Sequence, residues 1–265
     1  MPKLIKPLAS LLLLLLTTGA IASKPLPGLE VGVGVAAFNL PDYRGSENSS
    51  TYVLPGPYLR YRSDRFRVDG GAKGIFFESE DILLTLSGDL TLATDDDSDE
   101  RKGMDDLDTI LEIGPALNYR FYPMKIGAMW VDLAVRFGRT VNSDFEDIGY
   151  VFAPRLSWRK PATRLGESKI RLSIGPLFAD NRYHDYFYSV DESEATAMRP
   201  AYDADGGYSG MRSEFTYSKR IGSYQVGGFI RYDNMNGAVI DDSPLVSDDE
   251  TWTFGVAAAW VFYEK

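Results

Sequence analysis

From Thr251 to Tyr263 the apolar residues Trp252, Phe254, Val256, Ala258, Trp260 and Phe262 alternate with small or polar neighbours, the period of a strand with one greasy face. The same period recurs in segments of about ten residues along most of the chain, as a transmembrane β-barrel requires, with lipid outside and water or packed polar groups within. The pattern predicts eleven strands, at 29–40, 52–62, 65–77, 81–94, 109–122, 125–140, 149–159, 168–178, 207–219, 224–233 and 251–263. The run 81–94 is the clearest of the first half. It places Ile82, Leu84, Leu86, Leu90 and Leu92 on one face and Thr85, Ser87, Asp89 and Thr91 on the other.

A barrel with both termini on one side of the membrane needs an even number of strands, so one of the eleven segments is split, missed or not spanning. The ambiguity lies before Thr94. There Pro55 and Pro57 predict an irregular start to the second strand, and Asp69-Gly70-Gly71 is a turn signal inside the third. The expected fold is all-β, an antiparallel transmembrane β-barrel of about twelve strands, with ten as the alternative. The long polar connections 95–108, 179–205 and 234–250 are spaced so that all three can leave one end of it.

The first residues carry a secretory pattern: Lys3 and Lys6, the apolar run Leu8 to Leu16, and Ala20-Ile21-Ala22 before Ser23. We expect residues 1–22 to be a cleaved signal peptide and residues 23–265 to form the barrel, in the outer membrane of a Gram-negative cell. Beyond that leader no stretch has the roughly 20 uninterrupted apolar residues of a membrane-spanning helix. The mean hydropathy of -0.20 fits a barrel, because each lipid-facing side chain is averaged with a polar inward neighbour. A net charge of -10 argues against nucleic acid as a partner. With no cysteine there is no disulfide framework and no thiolate metal site.

Taking the apolar face as outward, Met129, Val131, Leu133, Val135 and Phe137 face lipid, and Trp130, Asp132 and Arg136 face inward. The same rule turns Glu112, Asn118, Arg120, Arg155, Arg171, Arg212, Glu214 and Arg231 to the lumen. Charges of both signs there have two readings: a selective pore lining, or a salt-bridged interior that stabilises a narrow barrel.

Little in the chain points to chemistry. Hydrolysis needs a nucleophile and a base, usually Ser and His. The one histidine, His184, sits near Asp185 and Ser189 without a serine-elbow motif, so an outer-membrane lipid hydrolase is the weaker expectation. The run Asp95 to Glu100 lacks the alternation and glycine of a calcium loop and reads as a solvated acidic loop, so no metal or cofactor is expected. The aromatic stretch Tyr183 to Tyr202, with His184, Tyr186, Phe187, Tyr188 and Arg199, is the candidate interaction or gating loop, since tyrosine and arginine dominate binding hot spots. Its alternative role is to fold back over the barrel mouth and hold Arg199 against the lumen's acids.

Several ordered segments carry a resemblance. They are Pro41-Asp42-Tyr43-Arg44-Gly45-Ser46, Leu54-Pro55-Gly56-Pro57-Tyr58 with Arg60-Tyr61-Arg62, Tyr183 to Val190, Arg199-Pro200-Ala201-Tyr202-Asp203-Ala204 with Gly206-Gly207, and Asp241 to Val246. Together they resemble the outer-membrane family of murein-transglycosylase-interacting proteins, the MipA/OmpV family, over nearly the whole mature chain. The resemblance implies a barrel without catalytic residues. It also implies a scaffold that links a lytic murein transglycosylase to a penicillin-binding synthase in cell-wall maintenance, embedded in outer-membrane lipid and lipopolysaccharide. A small channel is the alternative. The chain departs from outer-membrane habit at its end, where Phe262-Tyr263 is followed by Glu264-Lys265.

Overall fold

The computed structural model describes residues 28–68, 72–92, 100–141 and 145–265. The expected signal segment 1–22 and most of the acidic run, residues 95–99, lie outside them. Among the described residues twelve antiparallel strands close into a barrel in sequence order, with β1 completing the circle against β12. They are β1 (Leu29–Pro41), β2 (Ser49–Arg62), β3 (Phe66–Val68), β4 (Ala72–Glu78), β5 (Ile82–Thr91) and β6 (Ile110–Pro123), then β7 (Ala128–Thr140), β8 (Asp147–Lys160), β9 (Ser168–Ala179), β10 (Gly207–Ile221), β11 (Tyr224–Asn234) and β12 (Glu250–Glu264). One short helix, α1 (Asn181–Tyr188), follows β9.

The parity problem is resolved inside the segment predicted as a single strand at 65–77. It is two strands, β3 and β4, paired with each other from Phe66↔Gly74 to Val68↔Ala72. The expectation of an irregular second strand is overturned. β2 pairs with β1 in unbroken register from Leu29↔Tyr61 to Pro41↔Ser49. The backbone N–H of Arg62 donates toward β1, to Gly28 O at 2.8 Å, so even-numbered residues of β2 face β1 and odd-numbered ones face the other edge. Pro55 and Pro57 therefore lack their N–H on the edge turned away from β1. On that edge β3 meets β2 only at Tyr61 and Arg62, so the prolines break no ladder bond among the described residues.

Both termini of the barrel meet at one end, where Leu29 N donates to Lys265 O at 3.0 Å and Lys265 N to Leu29 O at 2.9 Å. With an even strand number, the connections following β1, β5, β7, β9 and β11 all lie at the opposite end. On β12 the alternation is clear: Trp252, Phe254 and Trp260 are about half exposed on the outside, and Thr251, Thr253, Ala259 and Val261 are buried within. On β7, Leu133 and Phe137 face out, and Asp132, Ala134 and Arg136 are buried. The outer wall is thus continuously apolar, as burial against acyl chains demands.

Candidate functional site: the capped mouth and the charged lumen

The long connections do not splay into solvent. They converge over the mouth and build a second apolar core of their own, in which Tyr43, Leu107, Phe187, Tyr188, Ile240 and Leu245 are buried. Helix α1 is its centre. Asp180 caps the helix by accepting from Tyr183 N at 3.1 Å and also accepts from Tyr150 N at 3.0 Å, which ties the first turn to β8. Gly149, at φ +100°, makes this approach possible, since a Cβ there would sit 2.1 Å from the Asp180 side chain. The i, i+3, i+4 spacing of His184, Phe187 and Tyr188 gives the helix one buried face.

Several polar groups within the cap pair across segments far apart in sequence. Tyr43 Oη donates to Leu245 O at 2.7 Å, Tyr188 Oη to Arg44 O at 3.0 Å, and Ser243 Oγ to Tyr188 O at 2.7 Å. Tyr186 Oη accepts from Asp108 N at 2.9 Å, and Tyr202 Oη donates to Val239 O at 3.1 Å. Arg199 does not meet the lumen's acids. Its guanidinium donates to the backbone carbonyls of Glu100, Lys102 and Glu194, so it staples two loops together. Burial pushes the Tyr188 phenol up to about 12 and raises those of Tyr43, Tyr183 and Tyr186, for Tyr183 with the Glu112 carboxylate adding to the effect.

His184 is fully buried beneath this cap. Its Nδ1 lies 2.6 Å from Asp205 O, which can only accept, so Nδ1 carries the proton and Nε2 accepts from Ser209 Oγ at 3.0 Å. Ser209 in turn accepts from Arg44 at 3.1 Å. Burial, with Arg44 nearby, holds the imidazole below its ordinary value. A serine and a histidine are therefore hydrogen-bonded, but Ser209 is 1% exposed and His184 0%, so the pair is closed off from solvent. The residues near in sequence are used elsewhere: Ser189 Oγ donates to Asp185 at 3.0 Å and accepts from Ala204 N at 2.9 Å.

Below the cap the lumen is filled by arginine and carboxylate. Arg136 donates to Glu112 at 2.8 Å, Arg212 to Asp233 at 2.8 Å, and Arg171 to Asp132 at 2.9 Å. Arg159 also donates to Asp132. Arg231 Nε stands 3.6 Å from Glu214. Arg155 lies inside on β8. Arg120 is at the other rim, bridging to Glu80 at 3.1 Å and Asp81 at 2.9 Å in the turn before β5. Sequence reasoning passed over Arg159, Asp233, Arg44 and Ser209 as site residues. The first two share inward parity with Arg155 and Arg231 and were legible from it; Arg44 and Ser209 have no signal outside the cap that brings them together.

Comparison with known proteins joins this geometry to a lineage. Residues 33–262 match the family described as MltA-interacting protein MipA. The chain belongs to that family. It is 24% identical to YiaT of Escherichia coli (strain K12) over 91% of this chain and 94% of that one. The outer membrane protein OmpV of Vibrio cholerae is 29% identical over 37% of this chain and 38% of its own, and outer membrane protein Omp26La of Vibrio anguillarum 29% over 33% and 34%. Among solved structures, the Ralstonia pickettii toluene transporter TbuX aligns over 89% of this chain and 69% of that one at 9% identity and a TM-score of 0.27, a likeness too slight to carry any argument.

Family membership and the closed apolar-walled barrel identify an outer-membrane β-barrel protein. Four of the five segments that carried the resemblance are dispersed along the sequence but meet in space: 41–46, 183–190, 199–207 and 241–246 build the cap, while 54–62 lies in β2.

Proposed function

We propose that the protein is a non-enzymatic outer-membrane scaffold that meets its partners at the short-turn end, away from the cap. The observation that carries this reading is the complete burial of the one histidine under a packed cap. A general base must come within hydrogen-bond reach of the proton it abstracts, and His184 is enclosed by its own loops. The family description supports association with the murein transglycosylase MltA. Short turns of outer-membrane barrels face the periplasm and long loops the exterior. A periplasmic transglycosylase, with a penicillin-binding synthase as second partner, would then meet turns such as 124–127, 161–167 and 222–223. Lipid and lipopolysaccharide contact the outer wall. The Tyr183–Tyr202 loop serves to close the mouth.

Photo-crosslinking amino acids placed in cells at Lys125 and Arg164, and at the exposed cap residue Met198, test this reading. Adducts with a lytic transglycosylase are expected from the turn positions and not from Met198; the reverse distribution sinks the proposal. Lipid or lipopolysaccharide hydrolysis by purified protein, abolished by His184→Ala, would replace the scaffold with an enzyme.

The channel is the second reading, favoured by a cavity of about 100 Å³ beneath the cap lined in part by Arg136, Arg212 and Arg231. Stable planar-bilayer conductance that changes when Arg136 or Arg231 is neutralised would establish it. A silent bilayer leaves the scaffold.

A further inference from the structure

The lumenal charges do not balance, and the imbalance has an address. Asp132 serves both Arg159 and Arg171, and Asp233 serves both Arg44 and Arg212. Arg136 holds Glu112, and Arg231 faces Glu214. Asp89 stands 3.8 Å from Arg136 and 3.6 Å from Arg212. With Arg155 added, this region contains two more guanidinium groups than carboxylates, inside a chain whose net charge is -10.

Arg155 is the residue left over. Its partner across the β7–β8 ladder is Asp132, but both oxygens of that carboxylate are taken by Arg159, Arg171 and Ser157. Among the described residues the Arg155 guanidinium makes no ion pair or hydrogen bond. The charges that act on it include those of Arg212, Arg136 and Arg171 against the carboxylates of Glu214 and Asp89. Gly175 on β9 stands opposite Arg212 and packs against the Arg155 backbone, where a Cβ would come within 2.8 Å of the Arg155 Cα. No side chain at 175 separates the two arginines.

Around this point three buried donors have no acceptor: Arg171 Nε, Ser173 Oγ and Arg231 Nε. The ladder puts them on one patch of wall, because Glu214 is the cross-strand neighbour of both Ser173 and Arg231. Desolvated cations and donors of this kind are costly unless an acceptor is present. Guanidinium forks and a hydroxyl suit an oxyanion, which accepts several charge-assisted hydrogen bonds at once.

We propose that the lumen binds a small free oxyanion of the phosphate class at the Arg155–Ser173–Arg231 cluster under the cap. The site is independent of which partner the short-turn end engages. Arg155 and Ser173 are the determinants, since neither has another ionic role in the wall.

The experiment is a titration of refolded full-length protein in micelles with inorganic phosphate, read by thermal unfolding and by isothermal calorimetry, against sodium chloride at equal ionic strength. Phosphate should raise the unfolding temperature where chloride does not. Arg155→Gln should weaken phosphate binding by about tenfold or more and Ser173→Ala by a few-fold, on the scale of lost charge-assisted hydrogen bonds. Arg155→Lys keeps the charge and loses the fork, so its affinity should fall between, and it serves if the glutamine variant does not refold. Equal stabilisation by chloride and phosphate, or unchanged phosphate affinity in the Arg155 variants, overturns the site. Binding of short-chain phosphatidic acid in competition with phosphate that Arg155→Gln leaves unchanged would place the phosphate group outside the lumen and overturn it as well.

Discussion

The Tyr183 hydroxyl donates to the Glu112 carboxylate at 2.7 Å, so one tyrosine of the cap helix is bonded to the inner wall of the barrel. Glu112 is shared, because its other oxygen accepts from Arg136 at 2.8 Å. The cap is thereby coupled to the lumenal ion-pair network and is not merely seated on the rim.

Cutting that link should loosen the cap before the barrel. Tyr183→Phe removes one hydrogen bond to a charged acceptor and is expected to cost about 1.5–3 kcal/mol of local stability. Hydrogen exchange of residues 181–206 should accelerate, with that of β6 and β7 unchanged. Equal acceleration in the wall would show that cap and barrel open as one unit.

The cap should also have a pH window. The folded value of His184 is held below its ordinary 6.5, so its contribution is complete above 6.5 and is lost as the pH falls below it. The cap tyrosines are shifted the other way, above an ordinary 10.0, so their contribution is complete below 10 and is lost at higher pH. Proteolysis of the 189–206 loop should rise between pH 7 and 5 in the wild type. His184→Asn should flatten that limb; an identical profile in the variant would remove histidine from the account.

Gly149→Ala is expected to undock α1. The residue is at φ +100° and its new Cβ would collide with the Asp180 cap, so a backbone strain of about 1 kcal/mol adds to the lost capping interaction. Circular dichroism should retain the β signal. The measurement that decides is protection of Tyr183 and Tyr188 from chemical modification, which should fall.

Side-chain orientation is testable because the chain has no cysteine. Spin labels introduced singly at 131 and 132 should show lipid contact at 131 alone. Leu133→Arg, on the outer face, should destabilise by about 2–4 kcal/mol near the bilayer midplane. If 132 reports lipid, the register of β7 is wrong throughout, since one slip reverses every side chain.

The fold was legible where burial on one face forced strict alternation, as on β5, β7 and β12. It was illegible at 65–77, where two short strands have too few residues for a period and only the Asp69-Gly70-Gly71 sequence signal argued against a single strand. Inward parity alone placed Asp132, Arg136 and Arg212 in the lumen. Which carboxylate each arginine takes was not readable, because that depends on ladder stagger. The cap was the least legible element. Tyr43, Tyr188 and Leu245 meet through chain closures of up to about two hundred residues, and no local pattern encodes such a contact.

A closed ring is only as strong as its least-bonded junction. Here that junction is not the seam where the chain's ends meet, since β1 and β12 pair from Glu30↔Glu264 to Asn39↔Phe254. Among the described residues it is the one between β2 and β3, held at Tyr61↔Val68 and Arg62↔Arg67. Hoop stress on the wall, from threading into the bilayer or from a ligand dilating the lumen, would concentrate there. The amides of Thr51, Val53 and Leu59, turned to that side, should exchange fast while those of Tyr52 and Leu54 stay locked to β1. The paired prolines between them leave an intruding strand two donors short, so the junction can yield without becoming a template for a second chain.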